Sequence, residues 1–299
     1  MFWLLIAILA YIFYALVFII DKYVVSRPLP HPIVYTFYVG VLSLGVWVLA
    51  PLSFGFLPPT DMLLAVLAGG AQVLGWICFF TALNKGEVSK ISPFVGAFIG
   101  IFTFVFSYFL IGERLTQNQL LALIFLLLGS LIIAFKPRVE FYKNFKKNVF
   151  IIAFFASLFF SIFWVITKFI YNQNSFIPST IWIRSGAAFV SLLLLVPKRY
   201  RELIFSKFKA TKKETSGIIV LGRIFSVFAA FGIYIAVYLG SVTIVNALQG
   251  LQYVFILIIA LFLYKRIPLL KKEVEKKVVI QKLIAIIFIG LGLALLVIR

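Results

Sequence analysis

The chain has 299 residues, of which 64% are apolar, 18% aromatic and only 12% charged, with a formal net charge of +19. Soluble globular domains have about half apolar and about a quarter charged residues, so this composition excludes that class together with disorder and a coiled coil. The single cysteine, Cys78, excludes an internal disulfide scaffold.

A bilayer core about 30 Å thick takes about 20 apolar residues per helical span. Polar punctuation divides the chain into ten such runs, near 2–21, 33–51, 61–84, 91–112, 117–135, 149–170, 178–196, 216–239, 243–264 and 280–298. Runs of that length without period-two alternation predict helices, not strands. The first run has no basic segment before it and no small-residue cleavage site after it, so it reads as a retained span. The expected fold is an all-α polytopic membrane protein with ten transmembrane helices.

The basic residues alternate by loop. Lys22 and Arg27 follow the first span, and Lys85 and Lys90 follow the third. The fifth, seventh and ninth loops carry the clusters 136–147, 198–213 and 265–277, so 22 of the 28 basic residues lie in odd-numbered loops. The positive-inside rule then places the odd loops in the cytoplasm of a cell-membrane protein, with both termini outside. Anionic lipid headgroups on the cytoplasmic face are the expected partner of those loops. Nucleic acid is not.

The two halves of the chain repeat each other. At an offset of 146, Ala10, Phe13, Ile20, Lys22 and Pro32 fall on Ala156, Phe159, Ile166, Lys168 and Pro178. At an offset of 154, Ala82, Gly86 and Gly96 fall on Ala236, Gly240 and Gly250. At an offset of 163, the segment 122–130 resembles 285–293. Each change of offset coincides with a longer basic loop in the second half. Two repeats, 1–137 and 149–299, are expected, each of five helices. Five is odd, so the second copy enters the membrane upside down, as in many secondary transporters whose site lies at the midplane between copies.

The stretch Ala82-Leu83, Gly86, Val88, Ser89 and Pro93, followed by an apolar helix and then Gly112-Glu113-Arg114-Leu115-Thr116, resembles the EamA-type branch of the drug/metabolite transporter superfamily. Pro178 followed by Arg184 resembles that family's arrangement at the seventh span. Tyr264-Lys265-Arg266-Ile267, after the ninth span, departs from it by lacking the acidic residue of the first copy. The resemblance implies a secondary or facilitative transporter of small polar or amphipathic metabolites, often an exporter of amino acids or similar compounds, working by alternating access; ten spans suffice for such a transporter as a monomer. A lipid or lipid-linked sugar translocator is the alternative transport reading. A non-transporting membrane scaffold is the alternative from another class.

An intramembrane enzyme is disfavoured, because no His–Asp, Ser–His or clustered carboxylate set is visible. His31 is the only histidine and no His/Cys cluster exists, so no metal or cofactor is expected. No P-loop is present either.

Charges inside spans are costly unless they face a cavity or a partner. Arg184, in the seventh span, and Arg223, in the eighth, are therefore candidates for a substrate cavity. Gln72 and Trp76 share a face one turn apart on the third span. Asn246, Gln249 and Tyr253 recur at three- and four-residue spacing on the ninth and are expected to form one polar stripe. Tyr14 and Tyr38 are candidate aromatic lining. Lys22 and Lys168, at matching positions in the two copies, are possible gate residues, with interfacial anchoring as the plainer reading.

Overall fold

The computed structural model describes residues 2–24, 31–86, 88–134, 147–208, 216–263 and 276–297. Among them all regular structure is helical. The helices are α1 (Phe2–Val24), α2 (Pro32–Val41), α3 (Pro59–Lys85), α4 (Val88–Phe106), α5 (Gln117–Ala134), α6 (Lys147–Gln173), α7 (Phe176–Leu193), α8 (Lys198–Phe208), α9 (Ser216–Leu239), α10 (Val242–Ala247), α11 (Gly250–Leu263) and α12 (Lys276–Val297). A 3₁₀ segment, Leu42–Leu49, continues α2, and a π-helical turn, Ser107–Ile111, ends α4.

Among the described residues, eight stretches are long and apolar enough to cross a membrane: one each in α1, α2 with its 3₁₀ extension, α3, α4 with its π turn, α6, α7, α10–α11 and α12. The expected fifth and eighth spans coincide with shorter apolar stretches, Gln117–Ile133 and Ile224–Leu239. Phe109, Val227 and Phe262 lie open on the outside of the bundle, 77%, 67% and 81% exposed. Large apolar surfaces of that kind are suited to lipid and rare on soluble monomers.

Two local features depart from the sequence reading. Residues 197–215 read as a loop, yet Lys198–Phe208 is helical. Tyr200, Leu203 and Ile204 recur at helical spacing and pack on Ile33, Val34 and Phe37 of α2, which gives this short basic segment an anchored face. The ninth run reads as one continuous helix, yet it breaks between α10 and α11. There the amide of Gln249 donates to the Asn246 carbonyl, 3.2 Å, and that of Leu251 to the Leu248 carbonyl, 2.9 Å. These three-residue bonds free the Val245 carbonyl, which accepts the Tyr11 hydroxyl of α1 at 2.8 Å.

Helix pairs approach closely where glycine removes the side chain. Gly69 of α3 and Gly186 of α7 meet backbone to backbone, Gly69 against Ala187 and Gly186 against Ala65. A Cβ on Gly129 of α5 would lie 3.0 Å from the Ala285 carbonyl oxygen of α12, and a Cβ on Gly292 of α12 would lie 3.0 Å from the Ala122 carbonyl oxygen of α5. Gly86, after α3, lies against Val149 of α6, and Gly240, after α9, lies against Trp3 of α1. α3 packs mainly on α6 and α7, α4 on α6, and α1 on α9 and α11.

Candidate functional site

Arg184 is where three helices meet. It projects from the third turn of α7, half-buried, between α3 and α9. Its Nη1 donates to Oε1 of Gln72 on α3, 3.0 Å, and to the hydroxyl of Tyr234 on α9, 3.2 Å. Gln72 Nε2 stands 3.5 Å from the same hydroxyl. The guanidinium carbon lies 5.7 Å from the Trp76 ring centre and 5.9 Å from that of Tyr234, within cation–π range.

Gln72 and Tyr234 are buried, at 6% exposure each, so their polar atoms depend on these bonds. Trp164 of α6 packs on Tyr234 with ring centres 5.3 Å apart. Tyr14 of α1 lies within the electrostatic reach of both Arg184 and Tyr234.

A guanidinium carries five N–H donors. Nη1 uses both of its own, and among the described residues the Nε and Nη2 donors meet no acceptor. No carboxylate of the described residues forms an ion pair with Arg184. The Nε–Nη2 edge is the geometry that binds a planar carboxylate through two parallel hydrogen bonds.

The other expected site residues lie elsewhere. Asn246 is buried and returns its side-chain amide to the Val242 carbonyl of its own helix, 3.0 Å. Gln249 packs its side-chain amide against Gly96 of α4. Tyr253 sits in an apolar cluster with Ala15 and Ile256. The break between α10 and α11 separates these three, so they do not form the single stripe that a continuous helix would give. Tyr38 packs in the α2–α8 cluster, its ring 5.4 Å from that of Phe37. The side chains of Arg223 and Lys22 lie outside the described residues.

Lys168 of α6 donates to the carbonyls of Val237, 3.0 Å, and Tyr238, 3.1 Å, in the last turn of α9. A cation there complements the negative end of the helix dipole.

The Gly-Glu-Arg-Leu-Thr stretch resolves into separate jobs. Gly112 has φ of 68°, a left-handed conformation that glycine accepts without strain, and it ends the π turn. Glu113 accepts the hydroxyl of Thr243 on α10. Arg114 stacks 3.7 Å over the Tyr108 ring. Thr116 and Gln119 exchange backbone and side-chain bonds of 3.0 and 3.3 Å, a capping box that starts α5.

Sequence reasoning did not single out Tyr234, Trp164 or Thr243. Tyr234 and Trp164 belong to a set of 53 aromatic residues, and position alone does not distinguish them. For Thr243 a signal existed, since it aligns with Ser89 of the first copy at the offset of 154.

Residues 1–135 match the model of the EamA-like transporter family. That is the family which the Gly112–Thr116 stretch resembles. None of the curated proteins matches the sequence. A solved crystal structure of a protein, 16% identical, is similar over 98% of this chain and 95% of that one with a TM-score of 0.67. At that identity the likeness concerns the fold alone.

Proposed function

We propose that this multi-pass membrane protein, whose first 135 residues carry the EamA-like transporter pattern, moves small carboxylate-bearing metabolites such as amino acids by alternating access. The observation that carries the reading is Arg184. A guanidinium held between α3, α7 and α9, with three donors uncommitted among the described residues, is organised to receive an anion. Its cost in a membrane is about 2.5–3.5 kcal/mol at a helix centre, and the bonds to Gln72 and Tyr234 offset part of it. A substrate carboxylate would offset the rest. The rings of Trp76, Tyr234 and Trp164 supply the apolar side of an amphipathic ligand.

The architecture in this reading is ten spans in two inverted five-helix repeats, 1–137 and 149–299, with α5 and α9 as the fifth and eighth spans. Reciprocal contacts support it. Gly129 meets Ala285 while Gly292 meets Ala122, and each partner is related by the offset of 163 found in the sequence. Likewise Gly86 meets Val149 while Gly240 meets Trp3, under the offsets of 154 and 146. Self-complementary contacts of this kind are what a two-fold relation produces.

Export is the direction that the family resemblance implies. The orientation, with odd loops and α8 in the cytoplasm and facing anionic headgroups, rests on the loop charges.

The test is ligand stabilisation of the purified protein by amino acids and other small carboxylates. A ligand at 100 times its Kd raises stability by about 2.7 kcal/mol. A carboxylate is expected to raise the melting temperature of the parent and to leave Arg184→Gln unmoved. Equal shifts in both proteins would remove Arg184 from the site. Counterflow of the same compound in proteoliposomes then separates transport from binding.

A further inference from the structure

The polar contacts at one end of the bundle fall on the seam between two groups of helices. α6 packs on α3, α4 and α7, while α1 packs on α9 and α11, and α10 lies between them, against both α4 and α9. Where α4 ends and α10 begins, Glu113 accepts the hydroxyl of Thr243 on α10, the short helix that lies against both α4 and α9. Ser107 of α4 stands 2.7 Å from the same Thr243 oxygen. Lys168 of α6 crosses the seam in the other direction, onto the Val237 and Tyr238 carbonyls of α9. The Lys168 ammonium also sits in the field of Glu113.

The protons of this chain can be assigned. Thr243 has one hydroxyl proton and gives it to the carboxylate, so the proton of the 2.7 Å contact is that of Ser107, which also reaches the Phe104 carbonyl at 3.2 Å. The result is a directed run, Ser107 to Thr243 to Glu113, that ends on a negative charge with a lysine nearby. Asp61 and Asn174 also pair at 2.7 Å, but they join α3 to α6 within one group.

The seam contacts lie next to the Arg184 site. Tyr234, which binds Arg184, and Tyr238, whose carbonyl binds Lys168, are one turn apart on α9, or about 6 Å. We propose that Glu113, Thr243, Ser107 and Lys168 form a gate that closes the Arg184 site at this end of the bundle, and that the structure is the state with this gate shut. The contacts suit a gate because every group in them is polar. When the two helix groups part, water replaces each bond at the bundle end, so closed and open states stay close in free energy. Gly112, held at positive φ, fixes where Glu113 meets the seam. The proposal rests on the transporter reading, since a gate needs a site to close.

The first test uses no substrate, so it stands apart from the carboxylate assignment. In a Cys78→Ala background, Thr103→Cys places a thiol on α4 one turn further in than Ser107, at a position now fully buried. Its labelling by a membrane-impermeant maleimide from the Glu113 face is measured with and without Thr243→Val or Glu113→Gln. Either substitution is expected to raise the rate about tenfold, which corresponds to about 1.4 kcal/mol taken from the closed state. An unchanged rate overturns the proposal. So does a rise accompanied by loss of cooperative melting, because the contacts would then be structural.

The second test locks the gate. Ser107→Cys with Thr243→Cys, in the same background, replaces two hydroxyls 2.7 Å apart with a potential disulfide. The oxidised protein is expected to melt cooperatively and to stop counterflow until reductant is added. Oxidised protein that transports at the reduced rate overturns the gate.

Discussion

Arg184 donates to the hydroxyl of Tyr234 across 3.2 Å, and that bond joins α7 to α9, which make few other direct contacts. The charge is thus shared between helices from opposite sides of the seam. Arg184→Gln removes the cation but keeps a polar side chain. A hydrogen bond to a charged group contributes about 1.5–3 kcal/mol, so carboxylate affinity is expected to fall about 10- to 150-fold. Arg184→Lys keeps the charge without the planar fork and is expected to fall between the two. Titration calorimetry of the three proteins checks the order.

Tyr234→Phe keeps the ring beside Trp164 and the cation–π surface, and removes only the hydroxyl that accepts from Arg184. The expected loss of affinity is smaller than for Arg184→Gln, about 2- to 10-fold. A larger loss than that of Arg184→Gln would place the main recognition on Tyr234.

The reciprocal glycines give a stability prediction. Gly129→Ala puts a methyl 2.6 Å from Ile289 Cγ1 and 3.0 Å from the Ala285 carbonyl, and Gly292→Ala puts one 2.9 Å from Leu126 Cγ and 3.0 Å from the Ala122 carbonyl. Overpacking of this kind costs about 1–3 kcal/mol. Similar losses at both sites are expected in denaturant titrations in detergent. A penalty at one site alone argues against the two-fold relation.

Lys168→Met leaves the last carbonyls of α9 without their cation, at about 1.5–3 kcal/mol for charged hydrogen bonds. A lower melting temperature is expected, with partial recovery in Lys168→Arg. No change in melting would assign Lys168 to the headgroup region instead.

Orientation is tested with a reporter active only in the cytoplasm. Fusion after Lys213 is expected to be active, and fusion after Asn174 inactive. The opposite pattern would turn the protein over in the membrane and reverse the side on which the proposed gate opens.

Several features were legible in the sequence, because they depend on neighbours in the chain. Run length and composition identified helices suited to lipid, since hydropathy acts locally. The end of the fourth span at Gly112 is local for the same reason. The offsets of 146, 154 and 163 also name the partners of Gly86, Gly129, Gly240 and Gly292 once the helices pack.

What tertiary structure alone decided are the contacts between residues far apart in sequence. Asn246, Gln249 and Tyr253 have the spacing of one stripe, but across the break Asn246 bonds back to its own helix, Gln249 packs on α4 and Tyr253 joins an apolar cluster with Ala15. Nothing in a run of apolar residues marks that break, because its compensation comes from Tyr11, 234 residues away. Arg184 was legible as a costly charge, whereas its partners Gln72 and Tyr234 were not legible as a pair, since they lie 162 residues apart. Glu113 reads as a residue at a span end, and only the fold sets it against Thr243, 130 residues on. A side chain's cost in a membrane is a property of its type and depth, while its partner is a property of how the helices pack.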